Sequence, residues 1–170
     1  MDISVCRTTD VALPDRHIGS PGAVSCHARR FARQEAGEST CLVAWLDGRP
    51  VGHAEVRRGG CDDPDVRAAR PGCPEINALA VHPARLRSRG IGSALVRAAE
   101  ERAARRGRTA VGLGVAAGNP RAAALYARLG YRPLLDYLDR WSYEDTDGTV
   151  RHVTDPCTFP VRELDRTGPP

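Results

Sequence analysis

The chain contains no lysine: every one of the 25 Lys+Arg positions among its 170 residues is arginine. A Walker-type phosphate loop needs its terminal lysine, and Schiff-base or pyridoxal chemistry needs a lysine amine, so both are excluded. The bias itself, beside abundant alanine and glycine, reads as GC-rich coding rather than as function. Long apolar runs are also missing, and none approaches the roughly 18–20 residues that span a bilayer. The opening MDISVCRTTD has neither the basic nor the apolar region of a secretory leader, so the expectation is a cytoplasmic protein with no membrane partner. Cys6, Cys26, Cys41, Cys61, Cys73 and Cys157 nowhere fall at zinc-knuckle or redox-motif spacing, and in a reducing compartment they read as free thiols. The five histidines are equally scattered, so no metal site is expected.

What is present is ordinary globular usage, 41% hydrophobic and 27% charged, in a length that suits one domain, 1–170, with its core at about 2–165. Charge is unevenly divided along it. Residues 84–108 carry eight arginines against two glutamates, and residues 134–148 carry five acidic residues against one arginine. Such a division points to an anionic ligand for the first segment and a cationic one for the second, with solvated faces as the alternative.

Local signals predict the elements. Ser20-Pro21 and Gly37 bracket a helix over 21–36. Thr40–Leu46 and Pro50–Val56, joined by Asp47-Gly48, read as a β-hairpin. Residues 59–74, rich in Gly, Pro and Asp, read as an exposed loop. A strand Glu75–His82, a helix Ile91–Arg106, a strand Thr109–Val115 and a helix Pro120–Leu129 then follow in βαβα order, which predicts a parallel strand pair with a right-handed crossover. From Tyr131 the chain is again β in character, with a turn at Asp147-Gly148, a last strand Cys157–Leu164 and a frayed tail over 165–170.

Between a strand and an amphipathic helix stands Arg87-Ser88-Arg89-Gly90-Ile91-Gly92-Ser93. Its backbone N–H groups open a helix and have no intrahelical acceptors, so the segment is an anion site suited to a pyrophosphate, with arginines adding charge. A Rossmann fingerprint fails here on spacing, because its third glycine position is Leu95 and residues 83–89 separate strand from glycines. Further on, Asn119 and Tyr126 lie seven residues apart, almost two helical turns, and so share one side of their helix.

These two motifs, Arg87-x-x-Gly90-x-Gly92 after Leu79-Ala80-Val81-His82-Pro83, and Asn119-Pro-Arg-Ala-Ala-Ala-Leu-Tyr126-Ala-Arg-Leu-Gly130-Tyr131, resemble the GNAT superfamily of acyl-CoA-dependent N-acyltransferases. The resemblance is strong over residues 75–133. It implies an α/β fold with a mixed, mostly antiparallel sheet, a parallel fourth–fifth strand pair and helices on both faces. It also implies acetyl-CoA as co-substrate, with its pantetheine along Leu79, Ala80 and Val81 and its pyrophosphate on the amides of Arg87, Ser88, Arg89, Gly90, Ile91, Gly92 and Ser93. Asn119 and Tyr126 would complete that site.

Acetyl transfer to a primary amine needs a base for the amine, polarisation of the thioester carbonyl and an acid for the departing thiolate. Tyr126 is the candidate acid. A backbone N–H near Val81 is a candidate for the oxyanion. Glu75 matches in position the base of family members that acetylate amines, with Asn77, Glu55, His53 and His82 as rivals. The acidic residues Asp136, Asp139, Glu144, Asp145 and Asp147 are candidates for recognising a cationic acceptor, and a homodimer through the late strands is possible. Alternatives are transfer of another acyl group or to a hydroxyl, or a module of the same fold that only binds acyl-CoA. Nucleic acid is not an expected partner, because the arginine-rich helix has no interleaved aromatics and an acidic segment follows it.

Overall fold

The computed structural model describes residues 1–18 and 25–164. In chain order these form β1 (Asp2–Val5), α1 (Ala12–His17), α2 (Cys26–Glu35), β2 (Ser39–Leu46), β3 (Arg49–Arg57), α3 (Pro64–Ala69), β4 (Glu75–Val81), α4 (Ile91–Arg105), β5 (Ala110–Gly112), β6 (Val115–Ala116), α5 (Pro120–Arg128), β7 (Arg132–Glu144) and β8 (Val150–Glu163). One mixed sheet runs β1-β2-β3-β4-β5-β8-β6, and β7 adds to the other edge of β8. All pairings are antiparallel except β4 with β5, so the expected architecture is the observed one.

The core explains the elements. β2 is buried along almost its whole length because both its faces are covered, which is why it reads as a continuous apolar run rather than an alternating one. Leu42, Ala44, Ala54, Val56 and Ile76 face α4, meeting Leu95, Val96 and Ala99. On the opposite face Cys41 and Val43 pack with Phe31 of α2. Farther along that face, Phe159, Tyr137, Cys61 and Val66 form a separate cluster under α3.

The pairing of β4 with β5 is the feature that makes a site. Only Glu75 and Gly112 are in register, so from Ile76 onward that edge of β4 has no strand beside it. The sheet opens into a wedge.

Several expected elements differ in extent. α2 starts at Cys26 under a Ser25 cap, whose hydroxyl accepts from the Ala28 N–H at 2.9 Å; the expected Ser20-Pro21 start lies outside the described residues, as does the tail 165–170. Within the expected loop 59–74, Asp63 caps α3 and Pro64 occupies its first turn, a start signal that the surrounding Gly and Pro outweighed. The strand expected over Thr109–Val115 breaks into β5 and β6, because Gly114 leaves its place to the Tyr137 hydroxyl. The last strand begins at Val150 rather than Cys157, since cross-strand pairing with β7 extends both arms of the hairpin. β1 and α1 carried no legible signal.

Candidate active site

A cleft of about 630 Å³ fills the wedge. β4 contributes Leu79, Ala80 and Val81, the turn before α4 contributes Arg87, Ser88 and Gly90, α4 contributes Gly92 and Ser93, and Asn119 and Tyr126 close the far wall. Of the residues expected to bind the co-substrate, only Arg89 and Ile91 do not line it. Ile91 is 4% exposed and packs its side chain in the core, so its N–H is all it can offer; Arg89 is exposed.

The turn is built by backbone conformation. Ser88 (φ 61°) and Gly90 (φ 84°) are left-handed, and Gly90 is the helix N-cap with no side chain capping it. Gly90 is glycine for its φ, since nothing lies within 4 Å of where a Cβ would sit. The first intrahelical bond runs from the Ala94 N–H to the Gly90 carbonyl at 2.9 Å. Ile91, Gly92 and Ser93 therefore keep free N–H groups at the positive end of the helix dipole. Arg87 Nε donates to the Val81 carbonyl at 3.3 Å, and Arg121 Nη2 donates to Ser88 Oγ at 2.6 Å, tying α5 to the turn. Arg121 was not among the expected residues, although its spacing with Leu125 and Arg128, which also line the cleft, marks one helical face.

α5 starts where expected. Asn119 Oδ1 accepts from the Ala122 N–H at 3.1 Å, and the residue lines the cleft. Tyr126 is 7% exposed, packs edge-on against Tyr131 with ring centroids 5.9 Å apart, and has no hydrogen bond from its hydroxyl among the described residues. Burial raises its pKa, which keeps it a phenol. Tyr131 is held differently, donating to Glu100 Oε1 at 2.9 Å, with Arg162 on the same carboxylate.

The outward path of β4 is set by a bulge. Glu55 pairs with Asn77 and His53 with Ala80, so one residue of β3, Ala54, stands opposite two of β4, and Ala78 takes φ 51° to absorb the extra one. Strand parity flips there. Glu75 lies on the face away from α4, while Leu79 and Val81, odd-numbered as well, come within contact distance of Gly92 on α4.

Glu75 thus stands outside the cleft, at the narrow end of the wedge. It is 3% exposed, and Arg57 Nη1 donates to its Oε2 at 3.2 Å. Burial lifts its pKa to about 7 against the pull of Arg57 and Asn77. The Tyr137 hydroxyl fills the space a Cβ on Gly114 would take, and Glu75 Oε1 lies within 4.0 Å of that same point. Among the rival bases, Glu55 is fully buried and clasped by Arg33, with Nε at 2.8 Å and Nη2 at 2.6 Å. Burial, with Arg30 at 3.2 Å from its Nε2, pushes His53 down to about 3, so it is a very weak base.

The acidic segment is dispersed. Asp145 and Asp147 accept from the Thr149 N–H within the hairpin turn, and Asp145 also pairs with Arg151 at 2.6 Å. Asp136 accepts from Thr158 on the outer face. Of the five, Asp139 is the one whose neighbours are Glu75's: it sits directly opposite Asp155 in register, and burial and Asp155 raise its pKa. Trp141 Nε1 donates to Asp155 Oδ2 at 3.2 Å. Asp155 lies outside the acidic run and becomes visible only through strand pairing.

A splayed β4, a helix N-terminus beside it and a tyrosine on the same cleft make one candidate site for a transferase. The chain belongs to the Acetyltransferase (GNAT) family, whose profile matches residues 12–131. It is an acetyltransferase. No curated protein matches by sequence. Similar solved structures include an N-acetyltransferase from Staphylococcus aureus (15% identity, TM-score 0.69, covering 96% of this chain and 98% of that one). Two others are yncA from Salmonella typhimurium, solved with its cofactor acetyl-CoA (20%, 0.67, 100% and 97%), and the ribosomal-protein-alanine N-acetyltransferase from Brucella melitensis (20%, 0.64, 96% and 100%). No described helix is long and apolar enough to cross a membrane.

Proposed function

We propose that the wedge binds acetyl-CoA and passes its acetyl group directly to a primary amine in a ternary complex. The diphosphate rests on the N–H groups of Ile91, Gly92 and Ser93, beside Arg87 and Arg121, and the pantetheine lies along the unpaired edge of Leu79–Val81. Its thioester then comes to the mouth of the wedge, between the β4 bulge and the Tyr126 hydroxyl. The amine attacks the carbonyl carbon, an N–C bond forms as the C–S bond breaks, and Tyr126 gives its proton to the departing sulfur. Of the two protons the acceptor nitrogen loses, one passes to Glu75 and the other restores the Tyr126 hydroxyl, so one proton is released for each acetyl group transferred. From Glu75 to Leu79 the strand advances roughly 13 Å, so the transfer to Glu75 runs through water. A carboxylate with pKa about 7 is matched to that task near neutral pH.

The acceptor side is the Glu75 face, and Asp139 and Asp155, opposite each other with Arg57 as the nearby cation, give it negative charge. We therefore read the acceptor as a cationic amine, drawn in as the ammonium and deprotonated on arrival.

One observation carries the reading: Gly92 and Ser93, whose helix-start N–H groups have no acceptor among the described residues, line the same cleft as the unbonded Tyr126 hydroxyl. The test is calorimetry with acetyl-CoA on Gly92→Glu, whose side chain must enter the cleft beside Leu79 and Leu125. Binding should be lost in a protein that still melts cooperatively. Unchanged affinity would place the co-substrate elsewhere.

A further inference from the structure

The excess positive charge of residues 84–108 is only partly used by the cleft, which draws on the start of α4. The arginines at the other end of that helix converge on a second place. Arg102 in the last turn, Arg106 at the C-cap and Arg108 just beyond it surround, together with Arg58 after β3, a groove of about 80 Å³ floored by Val56 and Ala103.

Eight arginines elsewhere among the described residues pair with carboxylates. Among the described residues no ion pair involves Arg58, Arg102, Arg106 or Arg108, and no carboxylate lines their groove. Arg58 carries the clearest sign of a missing partner. Its Nε is buried and has no hydrogen-bond partner, and its Nη2 reaches only the Ser39 carbonyl, at 3.5 Å. Arg108 is held as loosely, by Nη1 on the Gly72 carbonyl at 3.4 Å. Partial burial and the nearby charge of Arg106 lower the pKa of Arg58, the direction expected when like charges crowd together without a counterion. A buried donor without an acceptor and a repelling pair of guanidiniums are both costly, and one oxyanion between them relieves both.

We propose that this groove is a second anion site, taking a single phosphate-type oxyanion, either inorganic phosphate or the phosphate of a monoester. The forked donors of Arg58 and Arg106 grip the tetrahedral oxygens, and Arg102 and Arg108 add charge at the rim. Its volume suits one small oxyanion with a few waters. The fifteen residues of α4 separate it from the diphosphate turn by roughly 22 Å, so one diphosphate does not occupy both.

The test is made on protein saturated with CoA, so that the turn before α4 is already filled. Inorganic phosphate is titrated against chloride at matched ionic strength, followed by calorimetry and by the ¹⁵N resonances of the arginine Nε–H groups. Saturable binding that shifts the Arg58 Nε–H, and that weakens about tenfold or more in Arg58→Gln/Arg106→Gln but not in Arg97→Gln, is the expected result. If the double variant does not fold, weakened binding in Arg108→Gln together with the Arg58 Nε–H shift in the wild type carries the test. Glycerol 3-phosphate as competitor identifies the source: competition shows a site open to monoesters, and its absence confines the site to the free ion. No saturable binding to the CoA-saturated protein, or equal binding by wild type and variants, overturns the proposal.

Discussion

Glu55 and Glu75 sit on neighbouring strands, on the same face of the sheet, 0% and 3% exposed, and yet their surroundings prepare them for different work. Glu55 faces two short donors from Arg33, with Arg30 at 3.9 Å behind them. Glu75 receives one longer bond from Arg57, and that guanidinium is shared with Asp62. Burial is therefore common to both, and two short bonds from one guanidinium against a single longer bond from a shared one is what separates a helix-to-sheet clamp from a group able to exchange a proton. A buried acid becomes useful where the structure under-compensates it.

The widest separation between the two should appear in Glu75→Gln. Its kcat/KM for the acceptor should fall by about 10²–10⁴, the usual range for removing a general base. Because the carboxylate form acts, the wild-type rate should rise with pH through about 7, and this rise should vanish in the variant. A variant that keeps both rate and rise would falsify the assignment.

Glu55→Gln should do the opposite. Taking the buried partner from this half-exposed pair costs about 1–2 kcal/mol, seen in chemical denaturation, while turnover per folded molecule keeps its pH profile. If Glu55→Gln instead removes the rise near neutrality, the roles are reversed.

Arg57→Gln sharpens the comparison by removing the single compensating cation of Glu75. The midpoint of the pH–rate curve should move upward by about one unit, since the carboxylate loses the charge that favours it. A downward move, or none, would mean that Arg57 does not act on the reacting group.

The smallest effect belongs to the acidic pair above Glu75. Replacing both Asp139 and Asp155 by Asn should raise the acceptor KM by about threefold to tenfold at low salt and flatten its salt dependence, leaving acetyl-CoA affinity as it was. An unchanged KM at low ionic strength would show that these carboxylates do not meet the acceptor.

The sequence by itself determined the parts whose cause is local. The arginine-glycine turn, the Asn119 cap, the seven-residue spacing to Tyr126 and the Asp47-Gly48 hairpin are each decided within one or two turns of chain, so spacing alone revealed them. β1, α1 and the Asp63-capped α3 were missed because short elements carry too few residues to stand out against their loops. Only the tertiary structure decided what the parts face. The bulge at Ala78 lies at a non-glycine residue and flips the strand, so no periodicity could tell that Glu75 and Leu79 point to opposite sides. The opposition of Asp139 and Asp155, the grip of Arg33 on Glu55 and the meeting of Arg58 with Arg106 likewise join residues 16 to 48 positions apart. Pairing register and packing fix such encounters, and these are properties of the assembled sheet rather than of any stretch of chain.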